Sequence, residues 1–130
     1  MRVAEAILSF VIFAGLCGCA KSTLFTAECA AIESDMAAAG GRTLQELKPT
    51  QTGSTMWEAE GSYEFDTSMP SSIAAARTHI PDRYRLIRQA DGDLSYVHST
   101  EGESTYLRIT FTTLSSNKTS AKVTLKVLPS

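Results

Sequence analysis

The chain has 130 residues, 43% of them hydrophobic and 20% charged, with a formal net charge of −2. That is one domain's worth of chain. No run of about 18 apolar residues occurs outside the N-terminus, which argues against a polytopic membrane protein. The near-zero charge argues against a dedicated nucleic-acid binder, and four Pro and eight Gly argue against a wholly disordered chain.

Residues 1–20 read MRVAEAILSFVIFAGLCGCA. Arg2 is followed by an uncharged, mostly apolar run over residues 6–16, too short to span a bilayer but suited to a signal-peptide core. The next residues, Leu16-Cys17-Gly18-Cys19, resemble the lipobox of bacterial lipoproteins. The resemblance implies that Cys19 takes a diacylglyceryl group and becomes the mature N-terminus, with further acylation such as palmitate. Stable anchoring takes at least two acyl chains. Ala20 after the Cys implies outer-membrane sorting in a Gram-negative cell. The expected organisation is a signal peptide over 1–18, a lipidated tether over 19–23 and a single domain over 24–130. A conventional signal cut after Ala20 and an uncleaved anchor are the alternatives.

With Cys17 removed and Cys19 lipidated, Cys29 stands alone, so no intrachain disulfide framework exists. Phe25, Cys29, Ile32, Met36 and Ala39 recur at helical spacing, which predicts a helix over 24–39 with Cys29 packed as a small hydrophobe. Gly40-Gly41 ends it. Residues 42–48 read as a short strand or a helical turn, and 49–55 as a loop.

Residues 56–66 alternate strictly. Trp57, Ala59, Gly61, Tyr63 and Phe65 share one face, and Glu58, Glu60, Glu64 and Asp66 the other, which predicts a half-buried strand. Gly61 on the apolar face permits bending or the close approach of a covering helix. Thr67 or Ser68 and Pro70 then start a short helix carrying Ile73, Ala76, Arg77 and Ile80 on one side, and Pro81 ends it.

Four strands follow, over 84–90, 93–99, 105–113 and 120–128. Asp91-Gly92 predicts a type I′ hairpin turn, in which both central residues take positive φ. Leu107, Ile109 and Phe111 point inward on the third strand, as do Ala121, Val123, Leu125 and Val127 on the fourth. The fold class is therefore α+β: an antiparallel sheet built from a strand, a helix and a four-stranded meander, packed on a helix, plus an N-terminal helix. The order resembles cystatin-like folds. No Gln-x-Val-x-Gly loop is present, so protease inhibition does not carry over.

Charge-bearing clusters read mostly as structure. The acids Glu58, Glu60, Glu64 and Asp66 have candidate cross-strand partners in Arg85, Arg88, Lys122 and Lys126. The N-terminal part of the domain is net acidic and the C-terminal part net basic, read as intramolecular balance, with an exposed patch that recruits a partner of opposite charge as the alternative. His79 suits a helix C-terminus, and His98 is expected to face Arg85 across the hairpin. No metal-ligand spacing, nucleophile motif, P-loop or dinucleotide fingerprint occurs, so no catalytic residue, metal or cofactor is nominated. The Asn117-Lys118-Thr119 sequon is a chance match.

The hairpin over 84–99 has apolar residues on both faces, where a sheet wet on one side should alternate cleanly. Leu86 and Val97 are expected opposite each other, with Tyr84 and Arg88 beside them, as a patch for an envelope protein partner. The rival is cover by the N-terminal helix within the monomer. The functional expectation is a small envelope lipoprotein held to the membrane by its lipid, facing the periplasm, with a non-enzymatic binding or assembly domain. The alternatives are an inhibitor or immunity-type lipoprotein and an envelope hydrolase with a non-standard site.

Overall fold

A computed structural model describes residues 16–53 and 56–129, with side chains from residue 24 onward. Residues 1–15, most of the expected 1–18 signal peptide, lie outside the described residues, as do the side chains of 16–23, Cys19 among them.

The elements in chain order are α1 (Leu16–Ala38), β1 (Gly41–Gln45), β2 (Thr50–Gln51), β3 (Trp57–Phe65), α2 (Met69–His79), β4 (Arg85–Ala90), β5 (Asp93–Thr100), β6 (Glu103–Ser115) and β7 (Lys118–Pro129). The protein is α+β, with one antiparallel sheet of seven strands in the order β1-β3-β7-β6-β5-β4 and β2 also paired to β3. Every neighbour being antiparallel, β3 and β4 at opposite ends of the β3-β7-β6-β5-β4 run point the same way. Joining them needs a crossover rather than a hairpin, and α2 supplies it. Among the described residues no helix is long and apolar enough to cross a membrane.

The start of α2 follows from its sequence. The Ser68 side chain accepts from the Ser71 N–H, and Pro70 stands in the first turn, where its missing donor costs nothing. Ile80 caps the other end in extended geometry before Pro81. Ser72 is fully buried and its hydroxyl donates to the Ser68 carbonyl at 2.9 Å. The Thr119 hydroxyl donates to the Thr67 carbonyl at 2.8 Å, tying the helix entry to β7.

The core lies between the helices and one face of the sheet, and it is built in rows across the strands. Ala59, Leu125, Leu107, Tyr96 and Leu86 form one row, and Gly61, Val123, Ile109, Leu94 and Gln89 the next. Ile32, Met36, Tyr63, Leu94, Leu107, Ile109, Val123 and Leu125 are among its fully buried members. Phe25, Cys29, Ile32 and Met36 form the buried stripe of α1. Burial pushes the Cys29 thiol up to about 12, helped by the nearby Glu33 and Glu28 charges.

Several expectations need correcting. Gly61 is closely approached, but by the chain leaving β1 rather than by a helix. A Cβ there would lie 2.9 Å from the Gln45 carbonyl oxygen and 3.2 Å from Leu47 Cγ and N. The Asp91-Gly92 turn is not type I′, because Gly92 alone of the pair has positive φ (79°). Residues 42–48 resolve into β1 and a connection that turns Leu47 into the core. The 49–55 loop contains the two-residue strand β2.

The largest correction concerns the first hairpin. A β-bulge between Leu86 and Arg88 shifts the register, so Leu86 pairs with Tyr96 and Arg85 with Val97. Leu86 and Val97 are therefore not opposite each other. Adjacent strands put paired residues on the same face, so Leu86 joins Tyr96 on the core and Val97 faces away. His98 pairs with Thr105 and does not face Arg85. The unclean alternation of this hairpin follows from the extra residue, Ile87.

Candidate functional site

The sheet face turned away from the helices is the candidate site. It too is built in rows. Glu58 of β3, Lys126 of β7, Tyr106 of β6, Val97 of β5 and Arg85 of β4 stand side by side in one row. Glu60, Thr124, Arg108, Ser95 and Arg88 stand in the next. The bulge adds Ile87, which is 48% exposed, and Tyr106 is 41% exposed. Val97 is buried on this face without belonging to the core between sheet and helices. A trough of about 450 Å³ crosses the face, lined by Glu58, Glu60, Ile87, Tyr106, Arg108 and Lys126 among others.

The charges on this face follow from the pairing. Lys126 lies 3.6 Å from Glu58, and Lys122 lies 3.6 Å from Glu60. Lys118 lies 3.9 Å from both Glu64 and Asp66, and Arg42 on β1 pairs with Glu64. In the centre, Arg108 donates to Asp93 through Nε at 3.0 Å and Nη2 at 2.8 Å. The Arg108 hydrogen bond holds the Asp93 carboxyl below its usual range, against a small burial penalty.

Arg85 and Arg88 are different. Each sits at the far end of a row from an acid, four strand spacings away, roughly 19 Å at about 4.8 Å each. That is beyond side-chain reach and beyond the Debye length of about 8 Å at physiological salt. The expected pairing of these two arginines with the β3 acids is thus ruled out by strand order. Among the described residues neither forms an ion pair. The outer face therefore has an acidic edge on β3, partly matched by β7 lysines, and a basic edge on β4, where Arg88 feels only the Asp93 carboxylate that Arg108 already binds and Arg85 has no acid in reach among the described residues.

Of the residues nominated for a partner patch, Arg88 and Val97 lie on this face. Tyr84 and Leu86 do not. Tyr84 is buried under α1, where its hydroxyl donates to Glu28 Oε2. Arg83 Nη2 donates to both Glu28 oxygens at 2.8 Å. His98 Nδ1 donates to the Arg83 carbonyl at 3.1 Å, and its ring packs 5.8 Å from that of Tyr84. Burial raises the Tyr84 phenol, and its bond to the Glu28 carboxylate raises it further. The cluster acts as a clasp between α1 and the β4–β5 end of the sheet. Glu33 makes a second tie, accepting from the Leu47 N–H at 2.8 Å.

Tyr106 and Ile87 were missed in the sequence. Tyr106 had a signal: with Leu107, Ile109 and Phe111 inward, it must face outward among Ser104, Arg108 and Thr110. Ile87 had none, since its side follows from the bulge. His79 is the last residue of α2 and is exposed. Among the described residues no group of three or more His, Cys, Asp or Glu stands together as a metal site. Comparison with protein-family models, curated proteins and solved structures finds no match.

Proposed function

We propose that this protein is a small envelope lipoprotein whose domain works by docking, not by catalysis. Its signal peptide ends at Gly18, Cys19 carries the lipid, and α1 leads from that anchor into the domain. On this reading it sits in the outer membrane facing the periplasm. The observation that carries it is the Leu16-Cys17-Gly18-Cys19 sequence directly after an uncharged apolar run.

The docking part of the reading rests on the outer sheet face. Exposed Tyr106 and Ile87 beside Arg85 and Arg88 are the side-chain types that anchor protein interfaces. The finer description of the domain as cystatin-like rests on the order β3, α2, β4, β5, β6, β7, with helix and sheet packed face to face. Cells expressing the wild type and Cys19→Ala, fed a labelled fatty acid, test the anchor. Label on the wild type and unlabelled, unprocessed precursor from the variant are expected. Mature-sized, unlabelled protein from both overturns the lipoprotein assignment.

A further inference from the structure

The outer face carries opposite charges at the two ends of the same rows. Row by row, Glu58 is matched at the far end by Arg85, and Glu60 by Arg88. Within one chain these groups are too far apart to neutralise each other. A two-fold axis parallel to the strands and running over β6 brings them together between two chains. Such an axis lays β3 of one copy over β4 of the other and keeps each row at its own height.

We propose, resting on the reading of this face as a docking surface, that its occupant is a second copy of the same chain. Arg85 of each copy then stands over Glu58 of the other, and Arg88 over Glu60. Tyr106 meets Tyr106 of the partner copy near the axis, and Ile87 reaches over the partner's β3. The acids keep their lysines and gain an arginine, so each becomes the centre of a Lys–Glu–Arg array. Arg108 also lies near the axis, where two copies would repel, but each is already paired with its own Asp93, which leaves Arg88 to be matched across the interface.

The dimensions allow it. Packed sheets lie about 10 Å apart, a gap that an Arg and a Glu side chain facing each other can bridge without being fully extended. Their strands cross at about 30°, which displaces residues roughly 10 Å from the axis by about 5 Å, within the reach of these side chains. Five strands make a face about 24 Å wide, and eight residues of β5 make it about 26 Å long. That is a projected footprint of roughly 600 Å² per partner, at the lower bound for a stable interface, with the side chains that line the trough adding relief. The geometry also suits an anchored protein. α1 runs along β3, with Phe25 against Trp57 at one end and Met36 at Gly41, the partner of Phe65, at the other. An axis parallel to the strands then leaves both copies of α1 running the same way, so that two lipid anchors enter one membrane.

The test is a charge exchange on the full chain, purified in mild detergent and examined by sedimentation. The wild type is expected to be a dimer that dissociates as salt is raised. The double variants R85E/R88E and E58K/E60K each put like charge over like charge. Each alone should associate at least about tenfold more weakly. Mixed in equal amounts, they restore opposite charges at every contact and should dimerise with each other. Should either double variant fail to show a wild-type melting curve, Tyr106→Arg at the axis replaces it and should also be monomeric. A wild type that stays monomeric, variants that still dimerise, or a mixture that does not, each overturns the pairing. A monomeric wild type that still carries acyl label leaves the lipoprotein reading standing, so the two failures are told apart.

Discussion

Gly61→Ala is the sharpest probe of how the sheet edge is built. A methyl group at this position would stand 2.9 Å from the Gln45 carbonyl oxygen and 3.2 Å from the Leu47 backbone nitrogen, both main-chain atoms. These atoms have little room to retreat. The Leu47 side chain is buried in the core, and its N–H donates to Glu33 on α1 at 2.8 Å. Overpacking of this kind costs about 1–3 kcal/mol. Displacing the segment also weakens a hydrogen bond to a charged group, itself worth about 1.5–3 kcal/mol. Against this, Ala is favoured over Gly inside an unconstrained strand by about 0.5–1 kcal/mol. The balance is a loss of about 2 kcal/mol. In urea, with a slope near 2 kcal/mol/M, the midpoint should fall by about 1 M without a change of slope. Glu33→Gln should cost less in the Gly61→Ala background than in the wild type, because the two share one strained segment. An unchanged or higher midpoint for Gly61→Ala refutes the close approach of β1 and its exit to β3.

The bulge makes adjacent residues behave oppositely. Leu86→Asp buries a charge against Tyr96 and should lower Tm by more than about 10 °C, whereas Ile87→Asp should change it by less than about 5 °C. Equal losses in melting scans would place both side chains on one face. Asp35 has a buried Oδ2 with no hydrogen-bond partner, and its pKa is raised, chiefly by burial. A carboxyl raised in the folded state favours folding most when protonated, and this contribution is lost as pH rises from the unfolded value through the folded one. Asp35→Asn should therefore raise Tm at pH 7 and not at pH 3; a Tm lowered at pH 7 contradicts the assignment. Cys29, buried and with its thiol at about 12, should resist alkylation at pH 8 in the folded protein and react readily in denaturant. Rapid native alkylation, read by mass spectrometry, would mean that α1 does not stay packed.

Local chemistry made much of the fold legible. Strict alternation placed β3, and a Ser cap, a Pro in the first turn and a Pro after the last bounded α2. Glycine turns separated the first three strands of the meander. What was not legible depends on register between distant segments. The bulge at Ile87 is one inserted residue, invisible to a reading that assumes unbroken alternation, and it moved Leu86 from the proposed patch into the core. Gly61 signalled a close approach, but only the pairing of β1 with β3 shows which backbone approaches. The pairing of Arg85 and Arg88 with the β3 acids failed because charge complementarity says nothing of strand order. Once β3 joins the sheet through β7, those residues stand at opposite edges, and a charge balance that looked internal becomes a charge pattern on a surface.

The proposed lipid anchor comes first, because it would decide which compartment the proposed docking face meets. The direct measurement is the mass of the N-terminal peptide from protein extracted from membranes by detergent. The lipoprotein reading predicts a peptide beginning at Cys19 and heavier than its sequence by a diacylglyceryl group, with or without a further acyl chain. A peptide of unmodified mass beginning at Lys21, or an intact residue 1–18 segment on the membrane-bound protein, would contradict it.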